Sequence, residues 1–317
     1  MSTANLVPET WGLTGDDARK TLERTGRWKL IRDAVLRLRF ADGFSHARSM
    51  AFATTLLSLE GVIALLGLAS ALDPGGPSDF ITAMLQKIVP GPAGTVLTDA
   101  VRQAHEAGAS HRYLALILGL AGALVTGATL MGQIERALNR IYGVEQDRPT
   151  IQKYGRALVL TISAGILFIV AFATLGLGRV ISSSLHDHTV SGVWNVVRWP
   201  LAIGGLIAAV ALLFRWSPRR HQPGWSWLAF GALVSVLSVA VVSVGLDAIF
   251  QISSTFGRTY GPLAGIVALL LWAFLASTAL LLGGAIGAQL EAVRAGRPDP
   301  QSARKVAASE PDAETAR

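Results

Sequence analysis

The sequence predicts an all-α fold: a polytopic membrane helical bundle with six transmembrane helices and both termini in the cytoplasm. Three observations carry this expectation. Of 317 residues, 51% are hydrophobic and only 15% charged, whereas soluble domains carry about 25% charged residues. The apolar residues fall in six continuous blocks without strand-like alternation, which fits bilayer-spanning helices and excludes a β-barrel. The segments on one side of those blocks hold 22 Lys and Arg, and those on the other side hold six. That bias places the basic side in the cytoplasm and accounts for the net charge of +7 without a nucleic-acid partner. The chain has no cysteine, which excludes disulfides, thiolate metal sites and a catalytic thiol.

Taken in order, residues 1–26 are polar and are expected to form a disordered cytoplasmic tail. Residues 27–45 read as a basic amphipathic helix. Trp28, Ile31, Val35 and Leu38 make one apolar stripe, with Arg27, Lys29, Arg32, Arg37 and Arg39 around it. Such a helix suits the anionic inner leaflet, whose lipids are the partner expected. The membrane domain, 46–295, holds spans at Met50–Leu72, Tyr113–Met131, Ala157–Leu177, Trp199–Phe214, Trp225–Phe250 and Tyr260–Ala288. Each approaches the ~20 apolar residues that a bilayer requires. The fourth is short and is expected to begin near Val193, with Arg198 snorkelling to the headgroups.

Residues 73–112 form an outer helical segment in two pieces. Phe80, Ile81, Met84, Leu85 and Ile88 share one helical face, and Val96, Leu97, Ala100, Val101 and Ala104 share another. Pro90-Gly91-Pro92 separates them. Trp194 and Trp199 fall at the outer interface, and Trp216, Trp225 and Trp227 at the inner one. Residues 296–317 are expected to be a second disordered tail.

Glu60 is the sharpest candidate site, near the middle of the first span. A charge there costs ~2.5–3.5 kcal/mol on insertion scales. Ala53, Leu57, Glu60, Ala64, Gly67 and Ala71 form a stripe of mostly small residues, so Glu60 is expected to face another helix. The second span repeats the pattern with Ala115, Gly119, Gly122, Thr126 and Thr129, which predicts a close pair of spans one and two. Glu60 is therefore a candidate proton, ion or substrate site, the alternative being a structural carboxyl bonded to a neighbouring helix.

Asp247, near the outer end of the fifth span, is the second candidate of this kind. It either pairs with Arg258 or Arg179 or sits in the outer interface. Arg136, Asn139 and Arg140 follow the second span and are candidate lipid-phosphate contacts, or else membrane anchors with a helix cap. His186 and His188 flank Asp187 in an outer loop, but a solvated loop is the simpler reading, and no metal ligands are assigned. Neither a P-loop nor a Gly-x-Ser-x-Gly elbow occurs; no cofactor is expected, and the protein is not read as an enzyme. Asn139–Gly143 (Asn-Arg-Ile-Tyr-Gly) echoes Gly257–Gly261 (Gly-Arg-Thr-Tyr-Gly), as an inverted repeat would.

Three stretches carry a resemblance: Arg48–Leu59 (RSMAFATTLLSL), Ala137–Gly143 (ALNRIYG) and Tyr260–Trp272 (YGPLAGIVALLLW). They resemble the signatures of the YihY/BrkB family over about residues 27–295, with Arg48, Asn139, Arg140, Tyr260, Gly261, Pro262 and Trp272 as signature positions. The resemblance implies a six-span bacterial inner-membrane protein associated with envelope integrity, serum resistance and proposed transport. The family once carried the label ribonuclease BN. The chain departs from the pattern at Glu60-Gly61, where a Phe-Pro-like pair is common. It departs again at Gly283-Gly284-Ala285, where an acid is often found. Residues and resemblance together predict a secondary transporter or exporter of an envelope component or lipid. The alternatives are a scaffold for envelope integrity and, third, a ribonuclease.

Overall fold

The computed structural model describes residues 3–72, 91–146, 148–176, 188–252 and 263–302. Among them are eight helices: α1 (Gly15–Thr25), α2 (Arg27–Phe40), α3 (Gly43–Leu72), α4 (Gly91–Ile141), α5 (Thr150–Gly176), α6 (His188–Trp216), α7 (Trp225–Ile252) and α8 (Ala264–Arg294). Six are long and apolar enough to cross a bilayer, at Gly43–Leu65, Leu116–Ile141, Thr150–Leu175, Gly192–Trp216, Trp225–Gln251 and Ala264–Arg294. The fourth begins at Gly192, one residue before the expected Val193. Rows such as Val159, Ile162, Ile166 and Val170 on α5 point outward, which suits helices solvated by lipid chains rather than water.

Glycines let the helices approach closely. A Cβ on Gly119 of α4 would lie 2.7 Å from the Ala64 nitrogen of α3, and one on Gly122 would lie 3.0 Å from the Glu60 carboxyl carbon. The expected pairing of spans one and two is thus present, along the small-residue stripes. Ser235 on α7 donates to the Leu280 carbonyl of α8 at 3.1 Å, an interhelical bond of the kind that ties membrane helices together.

Residues 3–5 and 300–302 meet at one end of the bundle, the terminal end. Residues 3–25, expected to be disordered, are ordered. Asn5 donates its N–H to Pro300 at 3.0 Å, Val7 to Tyr142 at 3.0 Å, and Ser302 to Thr3 at 2.9 Å. Ala4 and Gln301 form an antiparallel bridge. α1 begins where Thr14 donates its N–H to the Asp17 carboxylate at 3.1 Å, a side-chain cap that satisfies the helix start. Those bonds from Thr14 hold the Asp17 carboxyl below its ordinary value. A polar composition does not exclude order here, because backbone pairing with the bundle holds the segment in place. Residues 296–302 are likewise ordered, while 303–317 lie outside the described residues.

Gly143 shows why this end closes. With φ at +75° it ends α4 in a left-handed turn that a side chain resists, and a Cβ there would lie 2.7 Å from the Asn5 oxygen.

Two further expectations are corrected. Residues 96–104 are not a separate outer helix; they belong to α4, which runs unbroken for 51 residues, because Pro92 sits in the first helical turn where proline is tolerated. Gly91 packs on Phe250 at the far end of α7, whereas Asn139 is bonded to Arg219, just before α7 starts. A straight helix of 51 residues would reach about 76 Å, and the 28 residues of α7 only about 42 Å. α4 must therefore bend to meet both. Residues 73–90 lie outside the described residues. Trp227 is the second correction: at the same end of the bundle as the exposed Trp216 and Trp225, its side chain packs inward instead of facing out as a belt residue would.

Candidate functional site

Glu60 lies just past the middle of α3 with its carboxyl against Gly122 of α4. Its Oε2 is buried without a hydrogen-bond partner, so the structural carboxyl bonded across helices is not what is seen at this oxygen. The residue is partly exposed, and Leu56, Leu118 and Val125 flank the α3–α4 seam as exposed side chains. The residue therefore stands at the edge of a seam that faces outward, with Oε2 itself covered.

Asp247 accepts from the Gln251 side chain at 2.6 Å within α7 and is partly exposed. This pair is local to one helix, whereas the Glu60 carboxyl is set against a second. Arg258 and Arg179, its proposed partners, lie outside the described residues, as do Tyr260, Gly261, Pro262, the second copy of the echoed motif and the His186–Asp187 pair. Arg48 is exposed at the start of α3. Trp272 donates from Nε1 to Ser243 Oγ at 3.0 Å, joining α8 to α7.

Asn139 is wholly buried, and its Oδ1 accepts the Arg219 N–H at 2.8 Å. It holds the 217–224 loop instead of reaching a lipid phosphate. Arg136 and Arg140 remain at least partly exposed beside it.

The largest gathering of charge is one the sequence reading missed. At the terminal end Arg37 of α2 is fully buried, although it was expected among the bases that flank the apolar stripe on the anionic leaflet. Its Nε donates to Gln289 Oε1 at 2.7 Å, and its Nη1 to the carbonyls of Asn5 at 2.9 Å and Ile141 at 3.3 Å. Nearby, Arg220 and Glu291 form a buried ion pair at 2.6 Å. Thr10 donates to the same carboxylate oxygen at 2.6 Å, and the Arg220 guanidinium stands 4.5 Å from the Tyr142 ring centre. Burial pushes the Tyr142 phenol well above its ordinary range and pulls the Arg37 guanidinium down to about 10.

A second buried pair, Arg148 with Glu135 at 3.0 Å, lies beside it. Arg148 also donates to the carbonyls of Ser217 and Pro218. Together these groups tie α2, α4, α8, the 217–224 loop and both chain ends into one polar knot.

The family model described as Virulence factor BrkB matches residues 34–307. The chain belongs to the BrkB family. Among BrkB-like relatives, a ribonuclease-like protein of Bacillus subtilis, YfkH, is 23% identical over 82% of this chain and 94% of its own length. The UPF0761 membrane protein azo3165 of Azoarcus is 27% identical over 78% of this chain and 59% of its own. A UPF0761 membrane protein of Xanthomonas campestris is 25% identical over 81% and 60%. The chain thus spans about three-fifths of the length of those UPF0761 relatives. No solved structure matches.

In BrkB terms, the signature around Asn139 and Tyr142 now has a physical content. Asn139 fixes a loop, and Tyr142 is the floor beneath Arg220. The signal that could have exposed the knot is Gln289 and Glu291, two polar residues continuing an otherwise apolar span.

Proposed function

We propose that this multi-pass membrane protein is a secondary transporter or exporter of an amphiphilic envelope component, a lipid being the cargo class favoured. In this reading the terminal end faces the cytoplasm, an orientation that the 22-to-6 Lys and Arg split supports. The observation that carries the proposal is Glu60: an acid inside a membrane helix, with a buried oxygen that no protein group satisfies, beside a lipid-facing seam. Intramembrane acids are costly and mark ion or substrate paths by default.

The scaffold reading is favoured by the terminal knot, which spends its charges on holding elements together. A nuclease reading has no such support: among the described residues no three His, Cys, Asp or Glu side chains gather as metal ligands would.

The test is lipid translocation in proteoliposomes, read by dithionite quenching of fluorescent phospholipids. Wild-type protein should exceed empty vesicles, and Glu60→Gln should lose about tenfold in rate, a change of ~1.4 kcal/mol in barrier, at unchanged thermal midpoint. A wild-type rate no faster than empty vesicles would overturn lipid transport and leave the scaffold. An undiminished Glu60→Gln would remove Glu60 from the mechanism.

A further inference from the structure

We propose that a groove between α5 and α6 at the terminal end holds the phosphate of one anionic phospholipid on Arg156. The groove has a volume of about 390 Å³ and is lined by Gly155, Arg156, Val159 and Trp216, within the ~300–1,000 Å³ typical of ligand sites. Its floor is open because Gly155 has no side chain and nothing stands within 4 Å of where a Cβ would be.

Arg156 is fixed at its neck. Its Nε donates to the Trp216 carbonyl at 2.8 Å, which caps the last turn of α6. The remaining four N–H donors of the guanidinium have no protein partner among the described residues. A planar fork held this way is prearranged for a phosphate, which it can bind through two parallel bonds. Arg148, the neighbouring cation, is already spent on Glu135 and two carbonyls, so the phosphate falls to Arg156. No acidic residue lines the groove, and the carboxylate that does act on Arg156, Glu135, is already paired with Arg148, which leaves the guanidinium to an anion.

The lipid source of that phosphate follows from what surrounds the groove. Exposed Val159, Ile162 and Ile166 continue from it along α5, a track for an acyl chain. The exposed Trp216 indole, with Arg215 standing 5.0 Å over the Trp225 ring, marks the headgroup level. A soluble phosphate would use the guanidinium and leave that track bare.

This inference rests on the chain being embedded in a bilayer and not on transport, so either can fail alone. The experiment is native mass spectrometry of the whole protein in detergent, titrated with phosphatidylglycerol, phosphatidylcholine, glycerophosphoglycerol and inorganic phosphate. Wild-type protein should retain one phosphatidylglycerol about tenfold more strongly than phosphatidylcholine. Arg156→Gln should lose that preference. Val159→Trp, which fills the groove and leaves Arg156 in place, should lose it too. Monodispersity and helical content serve as the check on folding. Retention equal to wild type in both variants overturns the site. Competition by millimolar inorganic phosphate or glycerophosphoglycerol overturns the lipid assignment in favour of a soluble anion.

Discussion

Arg37 keeps its proton at neutral pH in spite of complete burial, since a guanidinium lowered to about 10 is still charged there. What offsets the loss of water is a set of oxygens from Gln289, Asn5 and Ile141. Arg37→Met should therefore cost about 2–4 kcal/mol, because it strands several buried acceptors at once. Arg37→Lys should recover only part of this, since an ammonium lacks the fork that reaches three acceptors. Thermal midpoints in detergent would show it: a Lys variant as stable as wild type would mean that charge alone matters. Arg37 was illegible in sequence because it sits among four other bases on α2, and composition does not say which of five cations turns inward. Glu60 was legible because an acid inside an apolar run has no innocent neighbours.

At the scale of helices, α2 shows where pattern and packing part. Leu30, Asp33, Ala34, Arg37 and Leu38 form its buried face, so of the expected stripe only Trp28, Ile31 and Val35 stay outside, with Trp28 85% exposed. Arg27, Lys29, Arg32 and Arg39 are exposed around them, and no acid on α2 is. The reading that this face lies on anionic lipid keeps its chemistry but loses Leu38.

The absence of cysteine makes the test direct. Spin labels on single cysteines at Trp28, Ile31 or Val35 should show higher access to oxygen than to a water-soluble relaxant in phosphatidylglycerol vesicles. A label at Lys29 should show the reverse. Equal aqueous access at all four would place α2 away from the bilayer. The six spans and the α3–α4 seam were legible because hydrophobic length and small-residue stripes are local signals. The continuity and bend of α4 were not: they depend on Gly91 meeting Phe250 and Asn139 meeting Arg219, contacts between distant segments.

Across the whole molecule, the polar knot and the two paired end segments, 3–5 and 300–302, behave as one joint. Gly15 at the start of α1 lies against Ser226 at the start of α7, where a Cβ would be 3.6 Å from the Ser226 Cβ, a separation suited to a disulfide. Gly15→Cys with Ser226→Cys should form the chain's sole disulfide and raise the oxidised midpoint over the reduced one. The gain is bounded by about 5 kcal/mol for so long a loop and falls short of that where a membrane-bound unfolded state retains its helices. Failure to oxidise in the folded protein would show that α1 does not rest where it is placed.

The pairing of Thr3 with Ser302 and of Asn5 with Pro300 makes the backbone almost a ring, its seam stitched by hydrogen bonds in place of a peptide link. In a ring, neither end can be released without loosening the other. Anything that pulls on residues 3–5 or 300–302, whether a deletion or a binding partner, is therefore felt at both. Arg37, bonded to the Asn5 and Ile141 carbonyls and to Gln289, links that seam to α4 and α8.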